Sequence, residues 1–298
     1  MTAGQGDVRG GRLFVVATPI GNLGDVTLRA LEVLRAVPLI AAEDTRITRR
    51  LLDRHGVETR VTSYHARSGP GRTGALLEHL RSGADLALVT DAGTPAVSDP
   101  GTDLVTAWAA EDGVVVPIPG ASAVLAAVAA SGVAGPRWSF EGFLPRSGRE
   151  RRERLARIAA DERGTVVYEA PGRVAATLGD LTAACGPDRP AAVCRELTKL
   201  HEQIVRGSLG ELAGVATMDP GGGAGSIPAR GEFVIVIGYA PGGTTGTTAE
   251  GAEDRFAAAR ADVERLVGSG VARGEAARRV AAATGLSRRR LYGAESGR

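Results

Sequence analysis

The sequence predicts an α/β protein of two domains, the first built on a mostly parallel sheet and the second on a mixed sheet, followed by a small helical C-terminal module. Three observations predict it. From Leu13 onward, short β-rich apolar runs alternate with helical segments closed by glycine, the pattern of βαβ units. A second alternation starts at Phe140 and places consecutive strands on either side of Lys199, which implies antiparallel pairing. Past the composition break at Ala240–Ala252 (APGGTTGTTAEGA) only helical periodicity remains.

In order along the chain, Met1–Arg12 is polar and glycine-rich, lacks the apolar run of a signal peptide, and is expected to be disordered. The first domain, residues 13–134, is expected to have strands at Leu13–Ala17, Leu39–Ala42, Leu86–Thr90 and Val114–Ile118. Between them lie helices at Thr27–Ala36, Arg46–His55, Thr73–Arg81 and Asp103–Asp112, with Asp25 near the first as a cap and Gly56, Gly83 and Gly113 as C-terminal caps. The second domain, residues 135–239, carries strands Thr165–Glu169, Ala191–Glu196, Glu202–Arg206 and Phe233–Gly238 and helices Arg151–Asp161, Val174–Cys185 and Ser208–Thr217. Residues 240–252 read as a linker. In the tail, 253–298, Ala276, Ala277 and Val280 share an apolar face, Gly285 turns the chain, and Ser287 caps a helix opening on Arg288, Arg289 and Arg290, a helix-turn-helix pattern.

Composition narrows the function classes. With 298 residues, 43% hydrophobic and 23% charged, the chain has enough apolar side chains for two cores and is not a disordered sequence. Its two cysteines, Cys185 and Cys194, make no disulfide framework and no zinc-ligand spacing, so no metal site is expected. The least polar stretch, Ala121–Val133, is too short to span a bilayer, so a cytoplasmic protein is expected. The net charge is +2, and apart from Lys199 every strong base is arginine.

Three small-residue turns follow predicted strands: Thr18-Pro19-Ile20-Gly21-Asn22-Leu23-Gly24, Thr90-Asp91-Ala92-Gly93-Thr94-Pro95 with Ser98-Asp99-Pro100-Gly101, and Pro117-Ile118-Pro119-Gly120-Ala121-Ser122-Ala123. Such turns expose backbone amides at the carboxyl ends of parallel strands, where open α/β sheets bind ligands. Three of them at matching topological positions are expected to meet in one cleft. None has the G-x-G-x-x-G spacing of a dinucleotide fingerprint.

These segments, with AAEDTR (Ala41–Arg46), EGFLPR (Glu141–Arg146), YEAPGR (Tyr168–Arg173) and RELTKLHE (Arg195–Glu202), occur in an order that resembles the bacterial ribosomal RNA small subunit methyltransferase I family, of the tetrapyrrole-methylase superfamily. The resemblance covers nearly all of Leu13–Gly238. It implies a tetrapyrrole-methylase fold, a homodimer, and S-adenosyl-L-methionine as cofactor, used to methylate the ribose 2′-hydroxyl of a cytidine in the decoding region of 16S rRNA within the small ribosomal subunit. Carried onto this chain, it implies cofactor contacts from Pro19, Ile20, Asp91, Ala92, Gly93, Thr94, Pro95, Ala121, Ser122 and Ala123. Tyr168, Leu197, Glu232 and Phe233 are similar to positions that close over the adenosine.

A ribose hydroxyl is a poor nucleophile and is helped by a proton acceptor or a cation beside the emerging oxyanion. Candidates are Glu43, Asp44, His65, Glu196 and Glu202 as acceptors and Lys199 as the cation. The Glu43–Asp44 pair also fits a helix N-cap with an arginine partner, and His65 a loop hydrogen bond. For RNA phosphates the candidates are Arg46, Arg146, Arg149, Arg151, Arg152, Arg288, Arg289 and Arg290, while the glutamates interleaved at Glu150 and Glu153 also fit a salt-bridged exposed helix. Two other functions fit the same fold: carbon methylation of a porphyrin or corrin precursor, and a ligand-sensing DNA-binding regulator.

Overall fold

Strands buried on both faces belong in a parallel sheet covered by helices, and Leu13, Val16, Ile40, Ala41 and Leu86–Val89 are all buried. The computed structural model describes residues 10–216, 226–239, 249–284 and 291, and the chain divides into two units, Met1–Ala240 and Pro241–Arg298. In the first unit β1 (Leu13–Val16), β2 (Leu39–Ala42), β3 (Val61–Ser63), β4 (Leu86–Val89) and β5 (Val115–Ile118) form a wholly parallel sheet in the order β3-β2-β4-β1-β5. Helices α1 (Leu28–Ala36), α2 (Thr45–Arg54), α3 (Pro70–Arg81), α4 (Thr102–Ala110) and α5 (Ala123–Ser131) follow the strands. β3 is absent from the expected elements: three half-buried residues at a sheet edge show no hydrophobic period. Thr27, not Asp25, caps α1, its hydroxyl accepting from the Ala30 amide at 3.1 Å, while Asp25 closes a short 3₁₀ turn.

The second sheet contains β6 (Trp138–Phe143), β7 (Gly164–Glu169), β8 (Pro190–Arg195), β9 (Gln203–Ser208) and β10 (Phe233–Ile237) in the order β6-β7-β10-β8-β9. Only β6 and β7 run parallel; β8 and β9 are antiparallel across the segment holding Lys199, as expected from sequence. α6 (Gly148–Ala160), α7 (Val174–Cys185) and α8 (Leu209–Val215) cover the face built on Val167, Val193, Phe233 and Ile235. The opposite face takes α5: Val124 and Ala127 pack with Val166, Cys194, Val234 and Val236. Hence α5 leaves the first sheet and is buried against the second, fixing the two sheets to each other. Cys185 is half-buried, Cys194 buried, and both are free.

In the second unit α9 (Ala249–Gly268) and α10 (Arg273–Thr284) pack through Ala259, Val263, Ala276, Ala277, Val280 and Leu291. α9 begins inside the stretch expected to be linker, whose last four residues are therefore helical. Gly285, Ser287 and Arg288–Arg290 lie outside the described residues. No described helix is long and apolar enough to cross a membrane.

Candidate active site

The chain leaves β1 toward β2 on one side and β4 toward β5 on the other, which opens a crevice beyond the carboxyl ends of these strands. Two backbone hydrogen bonds join the first turns there, from the Thr18 amide to the Gly93 carbonyl at 2.8 Å and back from the Gly93 amide at 3.1 Å, and the Thr18 hydroxyl donates to the Thr90 carbonyl at 3.1 Å. Between these turns and the second sheet lies a cavity of about 380 Å³. The first sheet contributes Ile20, Ala92, Gly93, Thr94, Val97, Ser98, Asp99, Ser122 and Ala123 to its wall; the second contributes Phe143, Tyr168, Leu197, Glu232, Phe233 and Val234 among others.

The structure thus brings together, on one cavity, expected cofactor residues from all three turns and from the second sheet. Pro19, Asp91, Pro95 and Ala121 are not in the wall but next to residues that are. Asp91 instead ties strand ends: its carboxylate accepts the Asp44 amide at 2.9 Å, while the Glu43 carboxylate accepts the Asp91 amide at 3.4 Å. Burial raises the pKa of both Asp91 and Glu43 above the ordinary carboxylate value. Asp44 behaves oppositely. It caps α2 through the Arg46 amide at 2.8 Å and pairs with the Arg46 guanidinium at 2.6 Å, and these hydrogen bonds hold its pKa down to about 2. So acidic a group is a poor proton acceptor near neutrality.

His65 is exposed, and its ring Nδ1 accepts the Arg67 backbone amide at 3.2 Å, the loop role. The Lys199 ammonium lies 2.9 Å from both Glu196 and Glu232. A Cβ on Gly21 would sit 2.5 Å from Lys199 Cγ, so this glycine leaves room for the lysine stem. Glu202 accepts the Thr198 amide at 2.7 Å, and Glu196 the Glu232 amide at 2.9 Å. These carboxylates hold the turn between β8 and β9, where Glu196 and Thr198 have φ of 51° and 68°. Ala96 and Ser98, on the cavity's other side, have φ of 68° and 64°. Non-glycine residues in this left-handed region are strained, and such strain concentrates at functional sites.

Asp99 is a wall residue that the sequence alone does not single out. It faces the cavity beside the Thr90 hydroxyl, and burial, reinforced by the negative charges of Glu43 and Asp91, pushes its pKa up to about 6. Its one local signal is its place in Ser98-Asp99-Pro100-Gly101, which has equally good use as the turn into α4. Tyr168 lies at the Val124 amide, its hydroxyl pushed up to about 12 by burial, so it stays neutral. Glu169, the cavity's buried carboxylate, is occupied by the Thr177 hydroxyl at 2.6 Å and by Arg173 at 3.3 Å.

Among the arginines, Arg151 is only 8% exposed and bonds Asp180, Thr177 and the Pro145 carbonyl, so it is a packing residue unavailable to phosphates. Arg149 pairs with Glu153 one turn on. Arg146 and Arg152 are exposed without an ion partner among the described residues.

A family model described as Tetrapyrrole (Corrin/Porphyrin) Methylases matches residues 12–213. Solved structures of similar fold include a cobalt precorrin-4 methyltransferase (TM-score 0.59, 18% identity, 76% of this chain and 94% of that one). Another is the uroporphyrin-III C-methyltransferase of Thermus thermophilus complexed with S-adenyl homocysteine (TM-score 0.53, 20% identity, 76% and 97%). The fold, the crevice and this match place the chain among the tetrapyrrole methylases. Relatives named ribosomal RNA small subunit methyltransferase I include one from Synechocystis sp., 44% identical over 282 residues (95% of this chain, 96% of the relative), and one from Bacillus subtilis, 37% identical over 286 (95% and 94%). The chain belongs to the ribosomal RNA small subunit methyltransferase I family.

Proposed function

We propose that this chain uses S-adenosyl-L-methionine to methylate the 2′-hydroxyl of a cytidine ribose in the decoding region of 16S rRNA within the small ribosomal subunit. The observation that carries this reading is the cavity's chemistry. About 380 Å³ is within the usual range for small-molecule sites. Among the described residues the wall contains no lysine, arginine or histidine; it offers carboxylates at Asp99, Glu169 and Glu232 and hydroxyls at Thr94, Ser98, Ser122 and Tyr168, and is otherwise mostly apolar. That set fits a cofactor that is cationic at one end and heterocyclic at the other. Ile20, Leu197, Phe233 and Val234 would hold the heterocycle, and Gly93, Thr94, Ser122 and Ala123 the rest. When bound, S-adenosyl-L-methionine supplies an electrophilic methyl group on a sulfonium. Asp99 takes up the ribose proton, for among the described residues it is the wall carboxylate without an ion partner, Glu169 being held by Arg173 and Glu232 by Lys199, and its pKa of about 6 suits a proton acceptor. Lys199, held between Glu196 and Glu232, is a positioning residue that anchors one wall to Gly21.

For the RNA, α2 adds a feature that the sequence motifs do not mark. Arg46, Arg50 and Arg54 stand at i, i+4 and i+8 on its exposed ridge, and Arg50 and Arg54 have no partner among the described residues. The ridge starts at the Asp44 cap, at the cavity's end of the sheet, and with Arg146 and Arg152 it supplies phosphate contacts. A homodimer and a cytoplasmic location are part of the same reading; exposed Leu28, Leu125 and Leu200 supply apolar surface for the dimer. The test is transfer from labelled S-adenosyl-L-methionine to small subunits lacking the modification. Label in a cytidine 2′-O-methyl group supports the reading, and label entering only a porphyrinogen overturns it.

A further inference from the structure

A strand that alternates regularly puts residues three apart on opposite faces. Phe140 and Phe143 of β6 nevertheless both touch Tyr168, with ring centroids at 4.9 and 5.5 Å. The cause is a bulge: the pairing with β7 slips between Phe140 and Gly142, so that Phe140 faces Val166 and Gly142 faces Val167. Gly142 takes φ +62°, and a Cβ there would lie 3.0 Å from the Ser98 hydroxyl. Bulges are uncommon in parallel pairs and frequent beside active sites, where they re-aim a side chain. Here the side chain re-aimed is Phe143, which lines the cavity yet remains 57% exposed. Among the described residues Phe14 and Phe233 are buried and Phe140 half-buried, so Phe143 is the exposed phenylalanine, and burying it elsewhere would have been favourable.

We propose that Phe143 is the platform on which the base of the target nucleotide stacks once that nucleotide is turned out of the RNA. The inference rests on the RNA-methylating reading above and names the ligand of the cavity's lip. An unstacked base presents a flat face whatever its sequence, and aromatic side chains receive it. Gly142, next to Phe143, stands against the Ser98 hydroxyl one residue from Asp99, and all three of Ser98, Asp99 and Phe143 line the cavity, so a base held on the lip leaves its ribose on the Asp99 side. Arg146, exposed three residues further on, serves the adjoining phosphate.

The experiment compares F143A and F143W with the wild type, measuring S-adenosyl-L-methionine affinity by calorimetry and KM and kcat for small subunits lacking the modification. F143A is expected to raise KM for the subunits about tenfold, the usual cost of losing one stacked base, with cofactor affinity unchanged and F143W restoring KM. A second readout needs no turnover: a single-stranded rRNA fragment should quench the emission of F143W beyond any change in the wild type. Unchanged KM, absence of that extra quenching, or an equal loss of cofactor affinity in F143A would overturn the platform while leaving RNA methylation standing. A wild-type protein that puts no methyl group into RNA would instead remove the reading on which it rests.

Discussion

Asp99 and Asp44 are the same residue type at neighbouring strand ends, and their surroundings separate them. One loses water and gains only a threonine hydroxyl; the other gains a guanidinium and a helix amide. An acid whose pKa is about 6 instead of the ordinary 3.8 binds more protons folded than unfolded between those values. Its ionisation therefore lowers stability as pH rises through that window, and substitution by asparagine removes the slope. For the reaction the sign is opposite, since only the ionised form accepts a proton. The single-turnover methylation rate should rise with pH to a plateau with a midpoint near 6. In D99N it is expected to be flat with pH and lower by about a hundredfold or more. A D99N profile that keeps the midpoint would transfer the proton-accepting role to another group.

At the scale of the element, α2 and α6 are both arginine-rich, yet their charges are disposed of differently. On α6, Arg149 and Arg154 are matched by Glu153 and Glu141, and Arg151 is buried. On α2, the buried Thr48, Leu51 and Leu52 leave Arg46, Arg50 and Arg54 along the outer ridge, about 12 Å from end to end. Reversing Arg50 and Arg54 together (R50E/R54E) should raise KM for the subunits and reduce the slope of log affinity against log salt by about two, one for each phosphate no longer neutralised. Cofactor affinity and Tm should stay as in the wild type, because both side chains are exposed. An unaltered salt slope would mean that RNA does not run along this helix.

At the scale of the whole first unit, the second sheet is closed at one end by a single cation. Arg189, 1% exposed, donates to the carbonyls of Gly238, Ile158, Asp161 and Arg163, which joins the ends of β10 and α6 to the start of β8. R189M keeps the volume and leaves four acceptors without a donor. A loss of about 3 kcal/mol is expected, read as a fall in Tm of about 6–12 °C in a calorimetric scan, with methylation retained at low temperature. A Tm within about 2 °C of the wild type, if found, would show that water replaces the guanidinium at about equal free energy.

Local order was legible in the residues themselves. Apolar runs of strand length, glycines after helices and small-residue turns at strand ends are decided by contacts within a few residues, so the central strands, most helices and the three turns could be placed, and family membership with them. Apart from the antiparallel pair β8 and β9, joined by a short turn, pairing partners were decided by the tertiary structure. The low pKa of Asp44 follows from Arg46 two residues on, whereas the raised pKa of Asp99 depends on burial and on Glu43, which only the folded sheet brings beside it. Arg151 reads as a surface charge until α7 covers it, and α5 reads as part of the first domain until it packs on the second sheet. Phe143 points where it does because one extra residue is taken up in the pairing of β6 with β7, a register that exists only between two strands and cannot be read from either one.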